Sequence, residues 1–130
     1  MEDCIFCKIV KNEIPSTKIY EDDKFLSFLD IEPVSDGHLL VIPKRHIIWM
    51  QDADDETIAN IFKLTKKLML AVRGGIKCDY VQINVSGEEV PHFHIHLIPR
   101  YFNDQFPKFV TKTYKGSEKE EAAKKIIQEL

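Results

Sequence analysis

The stretch His92-Phe93-His94-Ile95-His96-Leu97-Ile98 alternates histidine with large apolar residues. A period of two is typical of a β-strand with one face in the core and the other in a polar environment. The pattern predicts a strand over residues 92–98, ended by Pro99, with the three histidines on one face. Three imidazoles side by side repel one another when charged. The pattern therefore indicates a functional site more than ordinary packing.

Four further strands and two helices are predicted around this strand. Apolar runs bounded by turn residues predict strands over residues 18–21, 24–30, 37–43 and 80–85. Apolar residues at three- and four-residue spacing after Asp54 predict a main helix over residues 55–73, ended by Gly74-Gly75. The capping box Ser117-x-x-Glu120 predicts a short C-terminal helix that docks on the body or on a second subunit. These elements predict an α+β fold in which a five-stranded antiparallel meander packs against the main helix.

Size and charge narrow the classes of protein that the chain can belong to. Its 130 residues, 44% hydrophobic and 30% charged, predict a single globular domain over residues 1–130. The formal net charge is −3, and the lysines and arginines are scattered and form no basic stripe. Both features argue against a nucleic acid partner. The acidic start Met1-Glu2-Asp3-Cys4 is unlike a secretory signal, and no apolar run approaches the roughly 18 residues of a membrane span. We therefore expect a cytoplasmic protein without a membrane partner.

Two kinds of chemistry are compatible with three histidines on one strand. A His-x-His pair can bind zinc through neutral imidazoles, given a third ligand and an open position. Alternatively, one neutral imidazole can attack phosphorus and form a phosphohistidine intermediate that water later cleaves. The turn Ser86-Gly87-Glu88-Glu89 could then supply donors for the phosphate oxygens. Separately, Cys4-x-x-Cys7 indicates a metal site or a redox pair.

Residues 92–98 also match the signature His-φ-His-φ-His-φ-φ, in which φ is apolar. With its neighbouring segments, the sequence resembles the histidine triad (HIT) family. Within that family, it resembles the bacterial-type branch of proteins that are similar to nucleoside phosphoramidases. The resemblance covers about residues 4–100 and leaves residues 101–130 as a C-terminal extension. The matching segments, in family order, are Ile5-Phe6-Cys7-Lys8-Ile9, Glu13-Ile14-Pro15, Phe28-Leu29-Asp30-Ile31, Pro33 and Gly37-His38-Leu39-Leu40-Val41-Ile42-Pro43-Lys44-Arg45-His46.

The resemblance implies a role for each matching histidine. His94 would be the nucleophile that takes a nucleotidyl group from a phosphoramidate or a polyphosphate. His92 and His96 would orient it and contact the phosphate or the leaving group, with His46 beside them. Asp30 would accept hydrogen bonds from the ribose hydroxyls. The implied base pocket consists of Ile5, Phe6, Ile9, Phe28, Leu29 and Ile31.

The segment before the triad departs from the family pattern. Asn84 matches the asparagine that bonds to the phosphate, but the loop after it is shorter than in many members. Glu88 stands where glutamine is usual, and Glu89 stands where serine or threonine is frequent. If these two residues contribute to nucleotide binding, their negative charge opposes an anionic substrate. Leaving groups that carry a cation would suffer least.

The resemblance further implies a metal and an assembly. Some bacterial-type members hold structural zinc, and the matching ligands here are Cys4, Cys7, His46 and His92. Two thiolates and two imidazoles close a tetrahedral shell with no open position, so this zinc would be structural. The family likeness also implies a homodimer in which two sheets join into one.

These features predict a hydrolase that converts purine nucleoside phosphoramidates to nucleoside monophosphates, such as AMP or GMP, through nucleotidyl-His94. No organic cofactor is expected. A dinucleoside polyphosphate hydrolase would use the same residues, and the sequence does not separate the two. Two further interpretations remain open: a nucleotide-binding regulatory protein with incidental turnover, and a zinc hydrolase that uses the triad as ligands.

Overall fold

An antiparallel sheet with one long helix packed on it forms the body of the chain. The structure is a computed structural model that describes residues 3–130, so Met1 and Glu2 of the acidic N-terminus lie outside the described residues. The strands are β1 (Lys18–Glu21), β2 (Phe25–Leu29), β3 (Leu39–Pro43), β4 (Tyr80–Asn84) and β5 (Ile95–Arg100). The helices are α1 (Ile5–Val10), α2 (Asp55–Ile76) and α3 (Glu118–Ile127), and a short 3-10 helix lies at Met50–Asp52. The predicted α+β class and the five-stranded antiparallel sheet are confirmed.

The strand order in the sheet is β1-β2-β3-β5-β4, and every neighbouring pair is antiparallel. The first three strands form the predicted meander, but β5 then inserts between β3 and β4. The burial of the last two strands agrees with this order, because five of the six residues of β5 are buried and none of the edge strand β4 is. The strand that carries His96 therefore takes an interior position in the sheet.

The two faces of the sheet pack against different helices. One face packs against α2, and its core includes Phe25, Val41, Ile61, Leu68, Val72, Phe93, Ile95 and Leu97. The other face packs against the short helix α1, and its core includes Phe6, Ile9, Leu26, Phe28, Leu40 and Ile42. Because Phe93, Ile95 and Leu97 all lie in the α2 core, the alternation predicted from the sequence is confirmed. His96 lies on the α1 face, opposite Leu40 of β3.

The main helix α2 is longer than the sequence predicted. It begins at the predicted cap Asp54, whose carboxylate accepts a hydrogen bond from the Thr57 amide at 2.9 Å. It continues through Gly74-Gly75 and ends at Ile76, where Lys77 caps it with a left-handed φ of 64°. A helical glycine costs about 1 kcal/mol relative to alanine, which the helix tolerates here, so the predicted end was wrong. No described helix, α2 included, has the length and apolar content needed to cross a membrane.

The histidine-bearing strand begins later and ends later than predicted. β5 begins at Ile95. His92 and His94 therefore lie in the loop that precedes this strand. Pro99 lies inside β5, opposite Val81 of β4. On its other side, β5 pairs with β3 only over residues 95–97, so the missing N–H of Pro99 interrupts no ladder there. The prediction that Pro99 ends the strand was wrong.

The segment between β5 and α3 contains no helix or strand, as predicted. Arg100 fixes the beginning of this segment, because its Nε and Nη2 donate hydrogen bonds to the Asp104 carboxylate at 2.6 and 2.7 Å. The predicted helix α3 forms, but its capping box does not, because Ser117 Oγ bonds to the Glu121 carboxylate at 3.1 Å instead. No residue of α3 is buried, so α3 does not dock on the body of its own chain.

Candidate active site

A cavity of about 470 Å³ opens on the α1 face of the sheet, beside the start of β5. One wall comes from α1, and the other comes from β2 and the residues that follow it. All six apolar residues predicted to hold a base line this cavity: Ile5, Phe6, Ile9, Phe28, Leu29 and Ile31. Asp30, Glu89, His94 and His96 line it as well. The fold therefore places an apolar compartment directly beside two of the triad histidines.

His94 is buried at the inner end of the cavity and has a defined tautomer. Its Nδ1 lies 2.7 Å from the carbonyl oxygen of His92, which can only accept a hydrogen bond. Nδ1 therefore carries the proton, and Nε2 of the neutral ring presents a lone pair. The Phe6 ring packs nearly perpendicular to the imidazole, with 5.1 Å between ring centres. An oriented neutral imidazole with a free Nε2 is the arrangement that a nitrogen nucleophile needs.

His38, to which the sequence analysis gave no role, sets the tautomer of His96 through a second chain of hydrogen bonds. The Val34 amide donates to His38 Nδ1 at 3.0 Å, so the His38 proton lies on Nε2. His38 Nε2 in turn donates to His96 Nδ1 at 2.9 Å. His96 therefore carries its own proton on Nε2. The carboxylate of Asp30 lies 3.6 Å from His38 Nε2 and 3.9 Å from His96 Nδ1.

A sequence signal for His38 was present but unused. Period-two alternation along the third predicted strand places His38 on the same face as Leu40 and Ile42. That face lies opposite the one formed by Leu39 and Val41. The register Leu40↔His96 then brings His38 within reach of His96. Strand register is a tertiary property. The sequence therefore indicated the strand face on which His38 lies, but not its contact with His96.

Burial keeps this pair of histidines neutral. It is the main cause that lowers the pKa of both His38 and His96 below the ordinary value of 6.5. For His96, the neighbouring imidazoles of His94 and His38 lower the pKa further, while the charge of Asp30 acts in the opposite direction on both. The hydrogen-bond chain described above requires neutral rings and is therefore intact at neutral pH.

The free energy of unfolding is expected to fall as the pH is lowered through the region below 6.5. A histidine whose pKa is lowered by folding binds protons more readily in the unfolded chain, so acid favours unfolding. The slope is at most about 1.4 kcal/mol per pH unit for each histidine. Urea unfolding at a series of pH values would measure this loss. The variant His38→Gln should lose less stability with acid than the wild type, and an equal loss would contradict the assignment.

The remaining two histidines face the cysteines of the N-terminal segment. Cys4 Sγ lies 3.3 Å from His92 Nδ1, and Cys7 Sγ lies 3.6 Å from the same atom. Cys7 Sγ also lies 3.3 Å from His46 Nδ1. His92 Nε2 donates to the Pro43 carbonyl at 2.8 Å, which leaves Nδ1 as the lone pair that faces the thiols. The four potential ligand atoms all lie within 4.8 Å of one another.

The geometry and chemistry of this cluster fit a tetrahedral metal ion. In a tetrahedral zinc site, sulfur and nitrogen ligands lie about 3.6 Å apart, close to the 3.3–3.6 Å between these atoms. Burial, reinforced by the nearby Cys4 thiol, raises the pKa of Cys7 to about 11. A bound metal ion would supply a positive charge that favours the thiolate form of Cys7.

Four of the predicted site residues do not line the cavity. His46 and the ring of His92 lie in the cysteine cluster, with the residues that the resemblance implies as their partners in a zinc site. Asn84 lies opposite His96 in the sheet, but its side chain accepts a hydrogen bond from Gln82 Nε2 at 3.0 Å and does not line the cavity. Glu88 also lies outside the cavity lining, in contrast to its neighbour Glu89.

Comparison with known proteins agrees with this fold. Residues 11–103 match the family described as HIT domain. The adenosine 5′-monophosphoramidase of Schizosaccharomyces pombe is 46% identical over 99 residues, which cover 75% of this chain and 74% of that protein. A protein of known structure from Streptococcus mutans superposes with a TM-score of 0.88 at 38% identity, covering 99% of this chain and 86% of that one. A zinc-bound histidine triad family protein from Mycobacterium smegmatis superposes with a TM-score of 0.75 at 37% identity, covering 82% and 81%.

The chain therefore belongs to the HIT family. The resemblance inferred from residues 92–98 and the neighbouring segments is confirmed, as is the expectation of a HIT-family hydrolase.

Proposed function

We propose that this protein hydrolyses purine nucleoside 5′-phosphoramidates to nucleoside monophosphates through a nucleotidyl-His94 intermediate. The observation that carries the proposal is the free Nε2 of His94. The ring of His94 lines the cavity, and its Nδ1 is bonded to the His92 carbonyl. The similarity to the S. pombe adenosine 5′-monophosphoramidase supports the same chemistry.

The shape of the cavity suits a nucleoside monophosphate unit. Its apolar end, between α1 and β2, would hold the base against rings such as Phe6 and Phe28, which pack edge to face at 5.5 Å. Ile31, exposed at 90%, lies at the rim and would be covered by the base. The carboxylate of Asp30 would accept hydrogen bonds from the ribose hydroxyls. The α-phosphate would then lie between His94 and His96.

The reaction would proceed in two displacements at phosphorus. In the first, His94 Nε2 bonds to the α-phosphorus while the P–N bond breaks. The leaving nitrogen keeps the bonding electron pair and takes a proton from solvent, while His96 Nε2–H donates a hydrogen bond to it, so it departs as an amine. In the second, water bonds to phosphorus and loses a proton to solvent, and the P–Nε2 pair of electrons returns to His94. One cycle consumes one water molecule and releases a monophosphate and an amine.

The direct test is to trap the intermediate. The purified protein would be mixed with an adenosine 5′-phosphoramidate, quenched within milliseconds to seconds in alkali, where phosphohistidine survives, and analysed by mass spectrometry. An adenylyl group on a peptide that contains residues 92–98, localised to His94, is the expected result. Release of AMP without any adenylylated histidine at any quench time would favour direct attack by water and would refute the proposal.

We also propose that the cluster of Cys4, Cys7, His46 and His92 holds a structural zinc ion. The likeness to the zinc-bound M. smegmatis protein supports this assignment, together with the fit of the four donor atoms. Zinc would tie α1 to the loop before β5. Because the carbonyl of His92 orients His94, the ion would support the nucleophile without contacting it.

A homodimer joined at the β4 edge is the assembly that the surface favours. β4 carries no charged residue, whereas the opposite edge strand β1 carries Lys18 and Glu21, which discourage strand pairing. The side chains of Leu70 and Tyr80 are exposed at 67% and 39% beside this edge. Light scattering should give the mass of a dimer for the wild type, and Ile83→Lys in β4 should shift it toward the monomer. A monomeric wild type would refute this arrangement.

A further inference from the structure

The charge of the active-site cavity is unusual for a site that binds phosphate. Three carboxylates line it, from Asp30, Glu32 and Glu89. Among residues 3–130, no lysine or arginine contributes to its lining. Sites that bind polyphosphates ordinarily neutralise the phosphates with lysine, arginine or a metal ion. The cavity instead presents negative charge around the nucleophile.

Glu89 is the carboxylate nearest to the reacting atom. Its Oε2 lies 3.8 Å from His94 Nε2, and Glu89, His94 and His96 place donor atoms within 4.8 Å of one another. A phosphorus under attack by His94 would lie about 3 to 3.5 Å from the same nitrogen. The Glu89 carboxylate therefore lies close enough to the attacking atom for its charge to act on the phosphorus and on the groups bonded to it.

The loop that carries Glu89 is held against the body of the protein. Gly87 has a φ of +84°, which favours glycine, and the Trp49 ring packs against it. A β-carbon at Gly87 would come within 3.1 Å of Trp49 Cζ3, so no larger residue fits without a shift. The backbone that presents Glu89 is thus defined by packing, although the Glu89 side chain is exposed at 66%.

We propose that Glu89 makes the site selective for substrates whose leaving group carries a positive charge, and that it disfavours polyphosphate leaving groups. This inference rests on the proposed function and adds a specificity to it. It would separate the two substrate classes, phosphoramidates and dinucleoside polyphosphates, that use the same catalytic histidines.

The charge on the leaving group gives the physical reason for this selectivity. When a P–N bond breaks, the nitrogen leaves with the bonding pair and gains a proton, and a second amine on the same group is already cationic at neutral pH. A carboxylate beside this leaving group attracts it. When a P–O–P bond breaks, the leaving phosphate keeps the bonding pair and its negative charge increases. The same carboxylate then opposes the reaction.

The experiment compares three substrates that share one adenylyl group. They are the 5′-phosphoramidate of an alkyl diamine with a free ammonium end, that of the matching amino alcohol with a neutral hydroxyl end, and diadenosine tetraphosphate. For the wild type, we expect kcat/KM to favour the cationic over the neutral phosphoramidate by about fivefold. Glu89→Gln should bring this ratio close to one and should raise kcat/KM for diadenosine tetraphosphate by about tenfold. Added salt should weaken the wild-type preference.

Matched variants separate position from net charge. Glu88→Gln removes the same charge one residue away, outside the cavity lining, and should keep the wild-type ratio. Glu89→Ser should behave like Glu89→Gln. Equal ratios in the wild type and in both Glu89 variants would overturn the proposal while leaving the hydrolysis intact. Failure of the wild type to release AMP from any of the three substrates would instead overturn the proposed function and this specificity with it.

Discussion

Replacement of His94 by alanine is expected to lower kcat/KM for an adenosine 5′-phosphoramidate by at least about 10⁴-fold. The variant loses the only imidazole in the described chain whose free Nε2 lies in the cavity, so no nucleotidyl intermediate can form. A 10⁴-fold loss corresponds to about 5.5 kcal/mol of transition-state stabilisation. Rates of AMP release from the wild type and the variant under identical conditions would measure it.

Two controls distinguish a lost nucleophile from a damaged fold. The variant should unfold within a few degrees of the wild type, because His94 faces a cavity that has room for water. Added imidazole should restore part of the activity, since a free imidazole can occupy the vacated space and attack phosphorus. Retention of more than about 1% of the wild-type kcat/KM would contradict the assignment of His94.

The substitution Cys7→Ser is expected to abolish stoichiometric zinc binding and to lower the Tm by at least about 10 °C. Structural zinc contributes on the order of 10 kcal/mol in small zinc-dependent peptides. Even a third of that contribution would shift the Tm of a chain this size by about 10 °C. Metal analysis of the purified protein and thermal unfolding of both forms would measure the two effects.

Cys78→Ala is the matched control for this experiment. Cys78 is buried like Cys7, but it packs in the α2 core and lies outside the ligand cluster. Its removal should leave the zinc content unchanged. A chelator should lower the Tm of the wild type to that of Cys7→Ser. A wild type that contains no zinc, or equal Tm values for both cysteine variants, would contradict the assignment.

His92 connects the predictions for His94→Ala and Cys7→Ser. Its imidazole faces Cys4 and Cys7, while its carbonyl oxygen accepts the hydrogen bond from His94 Nδ1. A loss of metal would therefore loosen the group that sets the His94 tautomer. We expect Cys7→Ser to lower kcat at temperatures where the protein is still folded, by much less than His94→Ala does.

Patterns local to the chain determined the class of fold and the family. Alternation in residues 92–98 assigned Phe93, Ile95 and Leu97 to the core and placed the neighbouring histidines on the polar side. This succeeds because side-chain direction along an extended chain has a fixed period of two. The helical spacing after Asp54 likewise predicted α2, and the HIT signature identified the family. These properties depend on residues close together in the sequence.

Which residues meet across the fold was decided only by the tertiary structure. The β3–β5 register joined His38 to His96, and the tertiary structure placed His46 and the ring of His92 outside the cavity lining. It also placed Glu89 in the lining of the cavity, while Glu88 remained outside it. Such contacts depend on register and on packing between distant segments, which neither periodicity nor motif spacing encodes. The sequence thus determined the chemical groups of the site, and the folded structure determined which partner each group has.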